Sequence, residues 1–324
     1  MNILITGIHG FVGSNLVSAL KEQHTIFGLD IVTPQKEGVS QTFRWNELDR
    51  IPPIDIVIHL AGKAHDTKKQ TDAQAYFDIN TGLTKKIFDW FLTSFAFKFI
   101  FFSSVKAAAD KVEGEILTED VVPTPKGPYG ESKMLAEQYI LSHLPSSDSG
   151  LRNSVSVIPS SDKNIYILRP CMIHGPGNKG NLNLLFKIQQ KGLPWPLGAF
   201  ENKRSFCSID NILFVVQQLI EKDIEPGIYQ VTDDEALSTN ELIKLMASSQ
   251  SKKARIWRIP AKFIKTIARV GDSLHLPLNS ERLKKLTESY LVSNQKIKNA
   301  LAIDKMPFTA TTGLQKTFES FKKK

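Results

Sequence analysis

Tyr129 and Lys133 stand four residues apart in Tyr-Gly-Glu-Ser-Lys, a spacing that puts both side chains on one face of a helix. A free phenol, with a pKa of about 10, is a poor base at neutral pH. A neighbouring ammonium stabilises the phenolate and brings it towards the working range, so the pair can exchange a proton with a substrate oxygen. Phe101-Phe102-Ser103-Ser104 closes an apolar run with two hydroxyls. If that run is a buried strand, its carboxyl end is the edge at which doubly wound sheets bind ligands. Ser104 is placed there to hydrogen-bond a substrate oxygen as charge develops on it, with Ser103 in support. Ser104, Tyr129 and Lys133 are therefore the candidate catalytic residues.

A second constellation binds rather than reacts. Asn2-Ile-Leu-Ile-Thr6 reads as a strand and runs directly into Gly7-Ile-His-Gly10-Phe-Val-Gly13, after which a helical pattern begins. Gly7 permits the tight turn, Gly10 lets the backbone approach a pyrophosphate, and Gly13 allows close packing of helix on strand. The helix start adds unpaired N–H groups and a positive dipole end. Phe11 and Val12 lie inside this loop and count among the cofactor positions. Asp30 ends the second strand, where a carboxylate accepts bonds from the adenosine ribose hydroxyls and repels a 2′-phosphate. NAD is thus favoured; Lys36 or Arg44 keeps NADP open, and Ile31 joins the cofactor set beside Asp30. Lys133 is also within the chemistry of a nicotinamide ribose.

The elements that must position these groups alternate in type. Strands are expected at Asn2–Thr6, Thr25–Leu29, 55–60, 97–102 and 164–168, and helices at 11–22, 73–91 and 128–144. That alternation predicts an α/β fold, a Rossmann-like doubly wound parallel sheet. Seven serines and two prolines between 145 and 163 predict a flexible insertion. Beyond Gly175 the regularity weakens, with helices expected at 182–190, 210–221 and 239–248. We divide the chain into a dinucleotide-binding domain, 1–175, and a smaller discontinuous substrate lobe, 176–324, with some segments returning to the first.

Composition narrows the function classes. Two cysteines, Cys171 and Cys207, are too few for a disulfide framework. His59, His65 and His174 form no ligand cluster with Cys or acidic partners, so no metal is expected. The N-terminus has no basic region before an apolar run, and no stretch approaches the ~20 apolar residues of a spanning helix. A cytoplasmic protein without membrane insertion is expected. Lys and Arg exceed Asp and Glu by 41 to 33, a net +8. The excess reads as scattered, densest at Lys252-Lys253, Lys284-Lys285 and the C-terminal lysines. It suits an anionic substrate such as a nucleotide diphosphate, and no basic motif for nucleic acid accompanies it.

The glycine loop, Asp30, His59-Leu-Ala-Gly62, Asn80, Ser103-Ser104 and Tyr129-xxx-Lys133 occur in the order of the extended short-chain dehydrogenases, the NAD-dependent epimerase/dehydratase group. The chain resembles that group from residue 2 to about 176. The resemblance implies that Leu60, Ala61 and Gly62 line the cofactor, that Asn80 and Ser103 lie beside it, and that Arg169-Pro170 begins the substrate-side crossover, with Arg169 in the cofactor set. A homodimer through the helices at 73–91 and 128–144 is also consistent with it.

A narrower resemblance covers Ser103–Lys106, Gly175–Asn181, Pro196–Gly198, Asn202–Phe206 and Leu286–Val292. These segments are similar to bacterial UDP-N-acetylhexosamine 4-epimerases and to 4-ketoreductases that make UDP-N-acetylquinovosamine-type sugars. By that analogy Arg204 pairs with the diphosphate, with Asn181 and Arg282 as further substrate contacts. Dehydration is disfavoured, since Ser104 is followed by Val105, Lys106 and alanines rather than a carboxylate pair. Met172 and His174 depart from the residues common in epimerases, which tilts the reading towards a 4-ketoreductase of a UDP-4-keto-6-deoxy-N-acetylhexosamine in surface polysaccharide synthesis. A UDP-sugar 4-epimerase with tightly bound NAD is the alternative. A non-catalytic dinucleotide sensor is a third, and retention of Ser104, Tyr129 and Lys133 speaks against it.

Overall fold

The apolar runs Ile3–Ile5, Ile56–Ile58, Phe99–Phe102 and Ile165–Leu168 have no polar face to turn to water, so each must be covered on both sides. In the computed structural model, which describes residues 1–64, 73–144, 163–178, 180–273 and 279–322, all four lie in a seven-stranded sheet. Its strands are β1 (Asn2–Thr6), β2 (Thr25–Leu29), β3 (Gln41–Phe43), β4 (Ile56–His59), β5 (Lys98–Phe102), β6 (Asn164–Pro170) and β9 (Gly227–Val231). They run parallel in the order β3-β2-β1-β4-β5-β6-β9. The order reverses direction between β1 and β4, and the crevice at their carboxyl ends is the ligand-binding position of such sheets. The doubly wound parallel sheet is therefore as the sequence led us to expect.

Two compact units are present. The first comprises Met1–Asp110, Glu119–Pro170 and Val215–Val231 and contains the sheet. Helices α1 (Phe11–Leu20), α2 (Gln74–Tyr76), α3 (Leu83–Thr93), α4 (Val105–Ala108) and α5 (Pro128–Leu141) belong to it. Leu4, Val57, Phe88, Phe91, Phe99 and Ile165 form its core. The second comprises Lys111–Thr118, Cys171–Phe214 and Thr232–Lys324. It holds the paired strands β7 (Met172–His174) and β8 (Phe206–Ser208) and the helices α6 (Asn181–Gln190), α8 (Thr239–Ser249), α9 (Ala261–Ser273), α10 (Ser280–Thr287), α11 (Gln295–Leu301) and α12 (Ala310–Lys322). Leu182, Phe186, Trp195, Met246 and Phe318 are central to its own core. Helix α7 (Ile209–Glu221) is shared by the two units.

Three features differ from the sequence expectations. The helix expected over 73–91 is interrupted: α2 passes through a π-helical turn, Phe77–Gly82, before α3 begins. The wider turn brings Asn80 and Thr81, adjacent in sequence, both to buried positions. The short strands β3, β7 and β8 have only three residues each, too few for a period to show. Strand β9 returns the chain to the first sheet after α7. The insertion expected over 145–163 lies, apart from Lys163, outside the described residues, as does His65.

Two lysines hold helix ends against the sheet. Lys98, inside β5, donates from Nζ to the carbonyls of Leu219, Ile220 and Lys222 at the end of α7, at 2.9, 3.1 and 2.9 Å. Lys163, just before β6, donates to Phe91, Ser94 and Ala96 at the end of α3. Each ammonium meets the negative end of a helix dipole and carbonyls that lack helical partners. Substituting Lys98→Met leaves three carbonyls without their donor and is expected to cost about 2 kcal/mol of stability. A urea unfolding curve should show a lower midpoint with an unchanged slope.

Candidate active site

The turn after β1 is built so that only glycine fits. Gly7 sits at φ +66°, and a Cβ there would lie 2.9 Å from the Ala61 backbone nitrogen. A Cβ on Gly13 would lie 2.6 Å from the Gly7 carbonyl oxygen, so α1 could not seat against the turn. The first turn of α1 has neither a side-chain cap nor an acidic residue, which leaves its positive end for an anion. Asp30 faces the same loop: its carboxylate accepts from the backbone N–H of His9 at 3.1 Å and of Ile31 at 2.7 Å. Lys36 donates to the Ser14 hydroxyl at 2.8 Å, and Asp30 is close enough to oppose the lowering of its pKa by burial. A bare turn, a helix start and a carboxylate at the second strand end would suit an adenine dinucleotide, and Gly7, Gly10, Gly13 and Asp30 come together there.

The neighbouring loop is pinned from below. The Thr6 hydroxyl shares a 2.6 Å hydrogen bond with His59 Nδ1 and accepts from the N–H groups of Leu60 and Ala61. His59 Nε2 bonds the Thr84 hydroxyl at 2.8 Å. Burial, and then the charge on Lys133, push the His59 imidazole well below its usual range, so it is neutral. Asn80 accepts from Lys63 N–H at 2.8 Å and donates to Lys63 C=O and to the Ser132 hydroxyl. It therefore fastens the Lys63 backbone, directly after the Leu60–Gly62 loop, to the Ser132 side chain of α5. A Cβ on Gly62 would lie 3.0 Å from Asn80 Oδ1 and 3.1 Å from Lys133 Nζ. The dinucleotide loop and the lysine thus meet at one point.

Ser104, Tyr129 and Lys133 are gathered at the end of β5. Ser104 caps α4, its hydroxyl accepting from Lys106 N–H at 3.2 Å, and it lies close enough to the Tyr129 phenol to favour the ionised form. Tyr129 packs edge-on against Tyr76. Burial pushes its phenol above the ordinary value and the neighbouring Ser104 hydroxyl only partly opposes this. Lys133, one turn further along the same helix, donates from Nζ to the Phe102 carbonyl at 2.9 Å and lies over the Phe101 ring. Burial also brings Lys133 down to about 8, opposed by the charge of Glu137.

Glu137 was not singled out from the sequence, although it stands four residues after Lys133 on the same helix face. Arg169 Nε and a terminal guanidinium nitrogen both donate to its buried carboxylate, the latter at 2.5 Å. The Ser103 hydroxyl donates to the same carboxylate through a short hydrogen bond. Ser103 and Arg169, expected beside the cofactor, both have their side chains bonded to this carboxylate. The reason is electrostatic: neither charge could be buried without the other.

The expected substrate residues lie in the second unit. Arg204 is half-buried and pairs through its backbone with Leu237, at 2.9 and 3.0 Å. Burial lowers its pKa and the nearby Glu288 carboxylate opposes this. The side chains of Asn181 in α6 and Arg282 in α10 lie outside the described residues. Met172 packs against the second core. His174 is fully buried, bonded at 3.0 Å to the Thr317 hydroxyl and packed on Gly313. His174 is thus a core residue of this unit. Among the described residues no group of His, Cys, Asp and Glu is arranged to hold a metal, and no helix is long and apolar enough to cross a membrane.

Removing the carboxylate that Arg169 and Ser103 share is expected to be costly. Glu137→Ala leaves a buried guanidinium unpaired and should destabilise the protein by about 3–5 kcal/mol in chemical denaturation. Glu137→Gln, which keeps the acceptor oxygen, should cost clearly less.

Comparison with known proteins agrees with this geometry. The family model described as the NAD dependent epimerase/dehydratase family matches residues 3–232. The UDP-glucose 4-epimerase of Vibrio cholerae is 28% identical over 80% of this chain and 78% of its own length. The GDP-6-deoxy-D-mannose reductase of Pseudomonas aeruginosa is 25% identical over 80% of this chain and 84% of its own. The structure of UDP-glucuronic acid 4-epimerase from Bacillus cereus in complex with NAD superposes with a TM-score of 0.73 at 20% identity, covering 100% of this chain and 99% of that one. With a sheet switch point, a glycine-only cradle and a family match across most of the chain, this protein belongs to the NAD dependent epimerase/dehydratase family of enzymes.

Proposed function

We propose that the chain is an NAD(H)-dependent oxidoreductase acting at C4 of a nucleotide-linked sugar, and that it reduces a UDP-4-keto-6-deoxy-N-acetylhexosamine. The observation that carries this reading is the Ser104–Tyr129–Lys133 cluster gathered at the carboxyl end of β5. Ser104 orients O4, Tyr129 donates the proton, and the Lys133 ammonium offsets the negative charge then left on the phenol. The bound dinucleotide supplies hydride transfer chemistry. Helix α4 follows Ser104 with Val105, Lys106 and two alanines and brings no carboxylate there, which speaks against dehydration. Arg204, with Asn181 and Arg282, is assigned to the substrate diphosphate.

A C4 epimerase is the second reading, favoured by the UDP-glucose 4-epimerase among the relatives. The two are separated by mixing the protein with NADH or NADPH and the 4-keto sugar, and following nicotinamide absorbance. Stoichiometric loss of reduced nicotinamide is expected; a C4 epimer from UDP-N-acetylglucosamine without net cofactor use would replace the first reading by the second. Tyr129→Phe should abolish most turnover, by about 10²-fold or more, while cofactor binding persists. Unchanged turnover would remove Tyr129 from the mechanism.

The pH dependence has a definite sign. Lys133 is charged below about 8 and neutral above it. Reductive kcat/KM should therefore fall as pH rises through about 8. In Lys133→Met that alkaline limb should vanish along with most of the rate.

A further inference from the structure

The net charge of the chain has a specific address. From Lys244 to Arg269 there are eight basic residues, and no Asp or Glu occurs between Glu241 and Asp272. With those eight set aside, 33 basic residues remain against 33 acidic ones, so this one stretch carries the whole excess. The scattered surface charge expected from the sequence is thus corrected to a concentrated one.

The same stretch exposes apolar side chains in a helical row. Helix α9 turns Ile264, Ala268 and Gly271 into the second unit. On its solvent side stand Phe263, Ile267 and Val270, at 60%, 38% and 49% exposure and at i, i+4 and i+7. Lys262, Lys265 and Arg269 flank this row and are exposed too. Just before the helix, Trp257 is 57% exposed, between the exposed Arg255 and Arg258. Single exposed apolar residues need no explanation, but a three-residue row on one helix, bordered by cations, does.

We propose that α9 and the basic segment before it form a docking surface for an anionic lipid bilayer. A helix of 13 residues is about 20 Å long and suited to lie in the interfacial plane rather than to span. Its apolar row enters the boundary between headgroups and acyl chains, while long lysine and arginine side chains reach up to the anionic headgroups. Charge complementarity selects the occupant. A second copy of this helix would set like charges against one another, and the phosphate backbone of a nucleic acid offers nothing for Phe263, Ile267 and Val270 to be buried in.

Vesicle flotation with the full chain tests this. Phosphatidylcholine vesicles are compared with vesicles containing about a third phosphatidylglycerol. The protein should float with the anionic vesicles at low salt, remain unbound with the neutral ones, and be released by added salt. Lys262→Glu, Lys265→Glu and Arg269→Glu together should lower the partition by about 100-fold or more. Phe263→Ser with Ile267→Ser should lower it by about tenfold or more. These positions are exposed, so urea midpoints should stay at the wild-type value and certify folding. Failure to float with anionic vesicles, or flotation unaltered by either set of substitutions, overturns the proposal. Equal affinity for duplex DNA, lost only on charge reversal, would reassign the surface to nucleic acid and overturn it as well.

Discussion

The buried carboxylate of Glu137 is the constraint on which the active-site arrangement depends. It belongs to α5, its guanidinium partner to β6, and its hydroxyl partner to the end of β5. An ion pair in a core is tolerated only when geometry and hydrogen bonding are nearly complete. That requirement makes the pair a strict ruler: α5 can sit against β5 and β6 only where these groups meet. Ser104 is the next residue after Ser103, and Tyr129 and Lys133 lie two turns and one turn before Glu137. The reactive groups are thus located by a neighbour that touches no substrate.

A similar division of labour runs through the dinucleotide side. Thr6, His59 and Thr84 form a buried polar chain whose function is to hold backbone N–H groups of the Leu60–Gly62 loop. Keeping His59 neutral avoids a second buried cation close to Lys133. Asn80 completes the fastening from the π-helical turn. Loop backbone presented in this way is rigid without needing large side chains, which leaves room for a ligand to lie against it.

Much of this was legible in the sequence, because local pattern governs it. Strand β1, the glycine turn and α1 are adjacent in the chain, and their periods and turn residues name them. Tyr129 and Lys133 share a helix face by spacing alone. What could not be read is whatever depends on distant partners. Glu137 looks like a surface glutamate until β6 supplies Arg169, 32 residues on. Lys98 interrupts an apolar strand for no local reason; its partners lie more than 120 residues away. Burial of the Tyr129 phenol is set by packing, which no spacing encodes; the seat of the net charge, by contrast, stands in the sequence itself and is missed only when charge is averaged over the whole chain.

The π-helical turn at Phe77–Gly82 marks where this helix is wound with more residues than an α-helical turn would use. Loss of one residue there would let the helix regularise at little cost to its own hydrogen bonds. It would also rotate everything on one side relative to the other by about 100°. Asn80 and Thr81 could then no longer both face α5, and the Lys63 backbone would lose its fastener. The segment is consequently intolerant in length: the reach of its Asn80 and Thr81 side chains to Lys63 and Ser132 depends on its residue count.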